Sequence, residues 1–332
     1  MKRTAGHAKI ATNHAYGVAS HAYGVASHAG RLASLLLLAG GLMFGAGCGT
    51  PPKAVRQDPE IERNVALARG ALAAGSAEKS STYYRQALNR ARLMDDSAAI
   101  GRNAYNLAAC LTLLRRYKEA DVLLDEAESE FHNAGISARE VPLLKARLAR
   151  YAGQTDQAMA LVQSQLKAMK SRDPYWLQYQ ILLADLLCVR GDTAGAAREM
   201  ARVNRKSLAA AAPAIQADAV WIRARLALLD NKPHVAGGLL DAAAGYFQQA
   251  GQYVDMALAL EEAGRAYETA GDFDVAMDRY YRAARTLFLT GQVDRSARAL
   301  TRAVLLADQS GQTEMRKKLK QLQMDTNAAR SN

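Results

Sequence analysis

The sequence is poor in proline, aromatic residues and cysteine. It has seven prolines and three cysteines in 332 residues, and only 6% of the residues are Phe, Trp or Tyr. Ala, Leu, Arg and Glu are abundant instead, which favours helix over sheet, so we expect almost no strand. Half of the residues are hydrophobic, which is enough for a buried core and excludes a disordered chain.

The scarcity of cysteine excludes a disulfide framework. Cys48 ends a hydrophobic segment, whereas Cys110 and Cys188 lie in helix-forming stretches, where a small buried thiol is the expected role. The spacing of Cys and His fits no metal site.

The net charge does not indicate a nucleic-acid partner. It is +11 at pH 7, and because residues 1–48 hold four basic residues and no acid, the chain from Gly49 onward carries +7. This moderate charge is compatible with an acidic partner or a membrane surface, but many soluble proteins carry as much. No zinc-finger spacing, aromatic RNA-binding signature or dense basic helix occurs, apart from a short run near Lys317. We expect no nucleic acid to bind.

The N-terminal region has the layout of a secretory signal peptide. Residues 31–48 read RLASLLLLAGGLMFGAGC, with one basic residue, a short apolar run and small residues before a cysteine. Gly45, Ala46, Gly47 and Cys48 resemble the lipobox of bacterial lipoproteins, although Gly45 departs from the usual Leu. By this resemblance, residues 1–48 are a signal peptide with an N-terminal extension, the residues in front of the cysteine are removed, and Cys48 is lipidated as the first mature residue. The alternative is an ordinary signal peptide cut nearby, with Cys48 incidental.

A polar stretch follows the cysteine. Residues 49–58 read GTPPKAVRQD, which predicts a flexible tether between a lipid and a folded body. By resemblance to lipoprotein sorting, Gly49 after the cysteine implies the outer membrane. In front of the signal peptide, HAYGVAS occurs twice in tandem; we interpret its histidines as a duplication and not as a metal site. A start at Val25 would leave a signal peptide of ordinary length.

The rest of the chain has an internal repeat. Apolar residues recur at helical spacing from about Ile61, with breaks at regular intervals. The clearest unit runs from Ala263 to Ala284, with Gly264 at a small position of a first helix, Gly271 in the turn and Ala276 at a small position of a second helix. This unit resembles a tetratricopeptide repeat, in which small residues let two antiparallel helices approach closely.

The same frame recurs along the chain. The small position of the first helix is occupied by Ala68, Ala108, Ala146, Ala184, Ala224 and Gly264. The small position of the second helix is occupied by Ser80, Ala120, Ala158, Ala196, Ala236 and Ala276. The turn position is occupied by Gly75, Arg115, Gly153, Gly191, Asn231, Gly271 and Gly311.

These intervals predict the architecture. The turns recur every 38 or 40 residues, against about 34 for the tetratricopeptide consensus, so we expect longer helices or connections. HEAT-like repeats have a similar period and are the alternative fold, but the spacing of the two small positions favours the tetratricopeptide pattern. The sequence therefore predicts an all-α, right-handed solenoid of about seven antiparallel helix pairs over residues 59–311. A polar capping helix and tail over residues 312–332 should close its end.

No catalytic constellation is found in the sequence. His132 and His234 are the only histidines of the repeats, and neither lies in a Ser, Cys or metal motif. The glycines mark single turns and do not form a phosphate-binding loop. We expect no enzymatic activity, no cofactor and no bound metal.

The predicted partner site is the concave face, which the first helices line in tetratricopeptide families. The residues that follow the first small position should point there: Arg69, Ala109, Arg147, Asp185, Arg225 and Arg265. Neighbouring candidates are Tyr105, Arg150, Trp221, Glu261 and Glu268. The arginines would accept an acidic or carboxylate-bearing peptide, with the two aromatic side chains as apolar anchors. The alternative is that the arginines pair with acids on adjacent helices.

These observations predict a non-catalytic scaffold for protein–protein interaction in the bacterial cell envelope. We expect it to be lipid-anchored at the periplasmic face of the outer membrane and to aid assembly of an envelope machine. Pilotin-like and outer-membrane assembly lipoproteins resemble this layout of lipid plus repeats. The alternative function is a regulator that binds a cell-wall enzyme or its glycan.

Overall fold

The structure is a computed structural model that describes residues 58–171, 173–310 and 312–331. These residues form fifteen helices and no strand. In chain order, α1 to α15 are Pro59–Ala73, Ala77–Leu93, Ser97–Leu113, Tyr117–Asn133, Glu140–Tyr151, Thr155–Ala168, Trp176–Arg190, Thr193–Arg202, Arg205–Ala209, Pro213–Leu229, Pro233–Gln249, Tyr253–Ala270, Phe273–Leu289, Val293–Ser310 and Thr313–Ser331. The predicted signal peptide, Cys48 and nearly all of the predicted tether lie outside the described residues, as does Gly311.

The helices start where the sequence places capping residues. The side chain of Asp58 accepts hydrogen bonds from the amides of Glu60 and Ile61 at the start of α1. Asp96 and Asp192 cap α3 and α8 in the same manner, since a side-chain acceptor satisfies amides that have no partner within the helix. Proline occupies the first position of α1, α10 and α11, where its missing amide costs nothing.

Each helix packs mainly against its neighbours in the chain. Seven antiparallel pairs result, namely α1 with α2, α3 with α4, α5 with α6, α7 with α8, α10 with α11, α12 with α13 and α14 with α15. The predicted all-α solenoid of about seven helix pairs is confirmed.

The small positions of the predicted frame lie between the paired helices. Eleven of the twelve side chains are completely buried, and Gly264 is buried as well. A Cβ atom on Gly264 would lie 3.0 Å from the ring of Tyr280, which shows how closely α12 and α13 approach. Small residues at these positions are therefore required by packing between two helix axes.

The predicted turn positions adopt left-handed backbone conformations. The φ angle is positive at all six of them that the structure describes, from +56° at Asn231 to +86° at Gly271. The amide of Asp272 donates to the carbonyl of Tyr267 at 2.9 Å, which closes the end of α12 as in a Schellman motif. Arg115 and Asn231 hold this conformation without glycine, and a side chain there costs roughly 1–2 kcal/mol.

The middle of the solenoid is irregular. Helices α5, α6 and α8 have only 12, 14 and 10 residues, and packing around them is thinner than elsewhere. Between α8 and α10 the chain forms the single turn α9, which Asn204 caps through the amides of Lys206 and Ser207. Buried Val203 and Leu208 hold this segment against the fold.

The two ends of the solenoid meet. A Cβ atom on Gly75, in the turn between α1 and α2, would lie 2.7 Å from the carbonyl oxygen of Thr290, between α13 and α14. The side-chain amide of Gln292 lies 3.5 Å from the carbonyl oxygen of Gly75. A cavity of about 920 Å³ lies beside this contact and is lined from both ends. The repeats thus curve into a ring, and we call the contact of Gly75 with Thr290 and Gln292 the seam.

Candidate interaction site on the concave face

A cavity of about 50 Å³ lies on the inner side of the irregular middle region. It is lined from α5, α7, α10, α11 and α12 by Arg147, Arg150, Tyr151, Ile181, Leu182, Asp185, Asp218, Trp221, Ile222, Phe247 and Asp255. Its wall thus combines charged side chains with aromatic and aliphatic ones. We call it the concave cavity.

Asp185 connects three first helices at this cavity. From α7, its carboxylate accepts a hydrogen bond from Arg150 on α5 and another from Arg225 on α10. All three side chains are largely buried, with 7% exposure for Asp185, 13% for Arg150 and 17% for Arg225. The two guanidinium groups therefore share one carboxylate inside the protein, through charge-assisted hydrogen bonds.

Arg147 forms a longer ion pair that skips one repeat. Its guanidinium on α5 lies 3.5 Å from the carboxylate of Asp218 on α10. The repeat formed by α7 and α8 lies between these helices in the chain, so their contact reflects tight curvature of the inner face. Tyr151, at the end of α5, lines the cavity beside them.

Trp221 lies on the cavity wall and is 98% buried. Its indole N–H donates to Glu262 at 2.9 Å, and its ring meets Phe247 edge-on at 5.6 Å between centroids. Such an arrangement fixes the indole, because both its polar and apolar parts have partners.

The remaining predicted residues lie away from this cavity. Arg265 is exposed and pairs with Glu261 on the same helix at 3.1 Å. Glu268 accepts hydrogen bonds from Tyr280 and from Arg302, both at 2.9 Å. Tyr105 is buried in α3 with 6% exposure, and Arg69 is half-buried on α1; neither lines the cavity. The structure therefore brings together only Arg147, Arg150, Asp185, Trp221 and Arg225.

Three acidic residues and two aromatic residues of this region were not predicted. Asp218, Asp255, Glu262, Tyr151 and Phe247 lie at or beside the cavity. One signal in the sequence could have found Asp218, because it precedes Trp221 by three positions and Arg225 by seven and so shares their helix face. No comparable spacing identifies Asp255, which reaches the cavity from the following repeat.

The pKa values of three acidic side chains at the cavity are raised, and nearby arginines oppose the shift to different extents. Burial raises the pKa of Asp218 to about 6, although Arg147 acts in the opposite direction. Burial and repulsion by Asp218 raise the pKa of Asp255 well above its ordinary value, against a smaller opposing attraction by Arg295. Burial also raises the pKa of Glu262. Burial therefore shifts all three carboxyl groups toward their neutral form.

The other polar groups singled out in the sequence lie elsewhere. His132 and His234 are exposed. Cys110 and Cys188 are buried free thiols, the role that the sequence predicts for them. Burial raises the pKa of the Cys110 thiol to about 12. Within the described ranges, no group of three or more His, Cys, Asp or Glu side chains is arranged to hold a metal ion.

None of the helices described is both long and apolar enough to span a membrane.

Among known proteins, the likeness is to solved tetratricopeptide structures. One is a Rap protein in complex with competence and sporulation factor, with a TM-score of 0.49 and 11% identity over 82% of this chain and 78% of that one. Another is a tetratricopeptide repeat protein from Parabacteroides merdae, with a TM-score of 0.39 and 14% identity over 80% and 99%. No family model and no curated protein matches the sequence.

A third similar structure belongs to a much longer chain. It is a signal transduction ATPase with numerous domains and a tetratricopeptide repeat sensor, from Pyrococcus horikoshii. The TM-score is 0.44 at 12% identity, over 83% of this chain and 43% of that one.

Proposed function

We propose that the protein is a non-catalytic scaffold that binds another protein on the inner face of its solenoid. The observation that carries this proposal is the concave cavity, where side chains from five helices of successive repeats meet on the inner side of the curved solenoid. A solenoid of this kind presents an extended inner surface that is suited to a peptide or a protein segment.

The proposal places the protein in the bacterial cell envelope, anchored by a lipid on Cys48. This part depends on the residues of the segment 31–48 and on their resemblance to a lipobox. The folded repeats would then stand off the periplasmic face of the outer membrane on the tether of residues 49–58. There they would aid assembly of an envelope machine.

An acidic partner stays a prediction. In the structure, Arg150 and Arg225 donate to Asp185, and Arg147 pairs with Asp218. A carboxylate on the partner would have to displace these aspartates. The alternative interpretation, in which the arginines pair with acids on adjacent helices, describes these contacts directly.

Site-specific crosslinking in cells tests the scaffold proposal. A photoreactive amino acid replaces Arg265, which is exposed beside the inner face, and in a second variant replaces Val122, which is 68% exposed on the outer helix α4. We expect partner adducts from position 265 and not from position 122. Adducts that form equally from both positions, or from neither, would contradict the proposed binding face.

The identity of the crosslinked species tests the assignment to an envelope machine. Several subunits of one assembly in the adducts would support the assembly role. A single cell-wall hydrolase would instead support the alternative, a regulator of a cell-wall enzyme.

A further inference from the structure

The concave cavity contains a carboxyl group that lacks a partner within the described residues. Asp255, on α12, is 6% exposed and lines the cavity. None of the hydrogen bonds and ion pairs found among the described residues involves its side chain, and Arg295 acts on it only through a weaker Coulomb attraction. An ionised carboxyl group without a partner is costly to bury, so Asp255 stays protonated, as its raised pKa indicates, unless a cation beside it compensates the charge.

The positive charges of the wall are already engaged. Arg150 and Arg225 share Asp185, and Arg147 faces Asp218. Asp255 and Asp218 repel each other, and Asp218 keeps 21% of its side chain exposed. Three carboxyl groups and two guanidinium groups line the cavity, so its lining carries one formal negative charge in excess. This excess favours a cation next to Asp218 and Asp255.

The other walls of the cavity suit the apolar part of a basic side chain. Trp221, Phe247 and Tyr151 line it together with aliphatic side chains. Aromatic rings attract alkylammonium and guanidinium groups, and a methylene stem packs well against them. A volume of about 50 Å³ accommodates one small head group, since roughly 10–15 Å³ of such volume is enough to hold a water molecule.

We propose that the concave cavity receives the ammonium or guanidinium head group of a basic side chain on the bound partner, held between Asp218 and Asp255 and flanked by the aromatic walls. This inference rests on the proposed function, because the head group belongs to the protein that the scaffold binds. The arginines of the inner face predict an acidic partner. This inference instead predicts a basic side chain of the partner at the centre of that face.

Capped tripeptides test this proposal on the full mature chain. Gly-Arg-Gly carries the guanidinium, Gly-citrulline-Gly has the same shape without the charge, and Gly-Glu-Gly carries the opposite charge. The readout is the indole N–H signal of Trp221 in ¹⁵N NMR. The second tryptophan, Trp176 at the start of α7, does not line the cavity and serves as an internal control.

We expect Gly-Arg-Gly to shift the Trp221 signal to saturation, with an affinity roughly tenfold higher than that of the citrulline peptide. Gly-Glu-Gly should not compete. Equal binding of the arginine and citrulline peptides, preference for the glutamate peptide, or no shift with any of them would overturn the proposal.

Two variants locate the binding group. Asp255→Asn should weaken Gly-Arg-Gly binding roughly tenfold, whereas Asp156→Asn should leave it unchanged because Asp156 is 92% exposed on α6. Unchanged affinity in Asp255→Asn would contradict the assignment. If Asp255→Asn does not fold, as judged by circular dichroism, the arginine and citrulline comparison on the wild-type chain still decides.

Failure of this inference is distinguishable from failure of the proposed function. Capture of a partner from position 265 together with equal binding of the arginine and citrulline peptides would leave the scaffold in place and remove only the basic head group. Selective binding of the arginine peptide without partner capture would support the site for a basic head group and contradict the proposed scaffold function.

Discussion

At the scale of single residues, Asp185 shows how ionic contacts join successive repeats on the inner face. Its carboxylate joins Arg150 and Arg225 across three repeats, in the region where the helices are shortest. Removal of one partner from a buried ion pair leaves an uncompensated charge and costs about 3–5 kcal/mol. Arg150 and Arg225, which the sequence suggests as partner-binding residues, are therefore part of the contact between repeats.

Asp218 should make the stability of the protein depend on pH. Its pKa is raised from 3.8 to about 6, chiefly by burial. A carboxyl group with a raised folded pKa stabilises the fold below its unfolded pKa, and this contribution is lost as the pH rises through the folded pKa. Relative to wild type, Asp218→Asn should thus gain about 1–2 kcal/mol between pH 4.5 and pH 7.5.

Urea unfolding of the two chains at both pH values measures this gain. Asp156→Asn is the control, because that side chain is 92% exposed and should show no such difference. Unfolding curves of Asp218→Asn and wild type that shift in parallel with pH would refute the role of Asp218.

Lipidation of Cys48 is testable independently of the fold. Metabolic labelling with a fatty-acid analogue should tag the wild-type protein and not Cys48→Ser, because the thiol is the predicted acceptor. Equal labelling of both chains would end the lipoprotein hypothesis.

At the scale of helices, Gly237 and Gly238 on α11 form a natural matched pair. A Cβ atom on Gly237 would lie 2.8 Å from the ring of Tyr267 on α12, whereas the nearest atom to one on Gly238 is the Tyr267 hydroxyl at 4.0 Å. Gly237→Ala should therefore overpack the helix pair and cost roughly 1–3 kcal/mol. Gly238→Ala should stabilise the helix by about 0.5–1 kcal/mol.

Thermal unfolding of the two variants measures both effects. The melting temperature should fall in Gly237→Ala and rise in Gly238→Ala. The hydrogen bond from the Tyr267 hydroxyl to Asp241 should be disturbed only in Gly237→Ala. Equal melting temperatures for the two variants would show that α11 and α12 are not packed as closely as described.

The helices were predictable from the sequence where local rules decide them. Small residues such as Ala276 recur because two adjacent helices require them, and turns such as that at Gly271 recur because the chain must adopt a positive φ there. The single turn α9 was not predicted. It depends on the burial of Val203 and Leu208 by distant residues, which no local pattern encodes.

At the scale of the whole molecule, curvature determines the site. Arg147 and Asp218 are 71 positions apart and meet only because the inner face bends sharply. The sequence predicts Arg147, Asp185 and Arg225 on one face, since that follows from helical periodicity. It did not predict which acidic side chains of other repeats would contact them, because those contacts depend on the angle between successive repeats.

The seam is the contact by which this curvature closes on itself. Gly75 can approach Thr290 because it has no side chain, and its φ of +81° is one that glycine adopts readily. The apolar cavity beside it includes Leu67 and Leu289, which are 45% and 76% exposed. A ring held by so small a contact should open when the seam is disturbed, and this would widen the inner face.

Gly75→Leu should open the ring, and Gly153→Leu is its matched control. Both glycines have a φ of +81°, so both variants carry the same backbone strain of roughly 1–2 kcal/mol. Only at Gly75 does the added side chain collide, because a Cβ on Gly153 has nothing within 4 Å.

Pulsed electron paramagnetic resonance measures the distance across the seam. The spin labels are attached to cysteines that replace exposed Arg85 of α2 and exposed Arg298 of α14. That distance should lengthen and broaden in Gly75→Leu and stay as in the parent chain in Gly153→Leu. All chains carry Cys48→Ser, and Cys110 and Cys188 are buried and remain unlabelled. A distance that is unchanged in Gly75→Leu, or equally lengthened in Gly153→Leu, would mean that the seam does not hold the ends of the solenoid together.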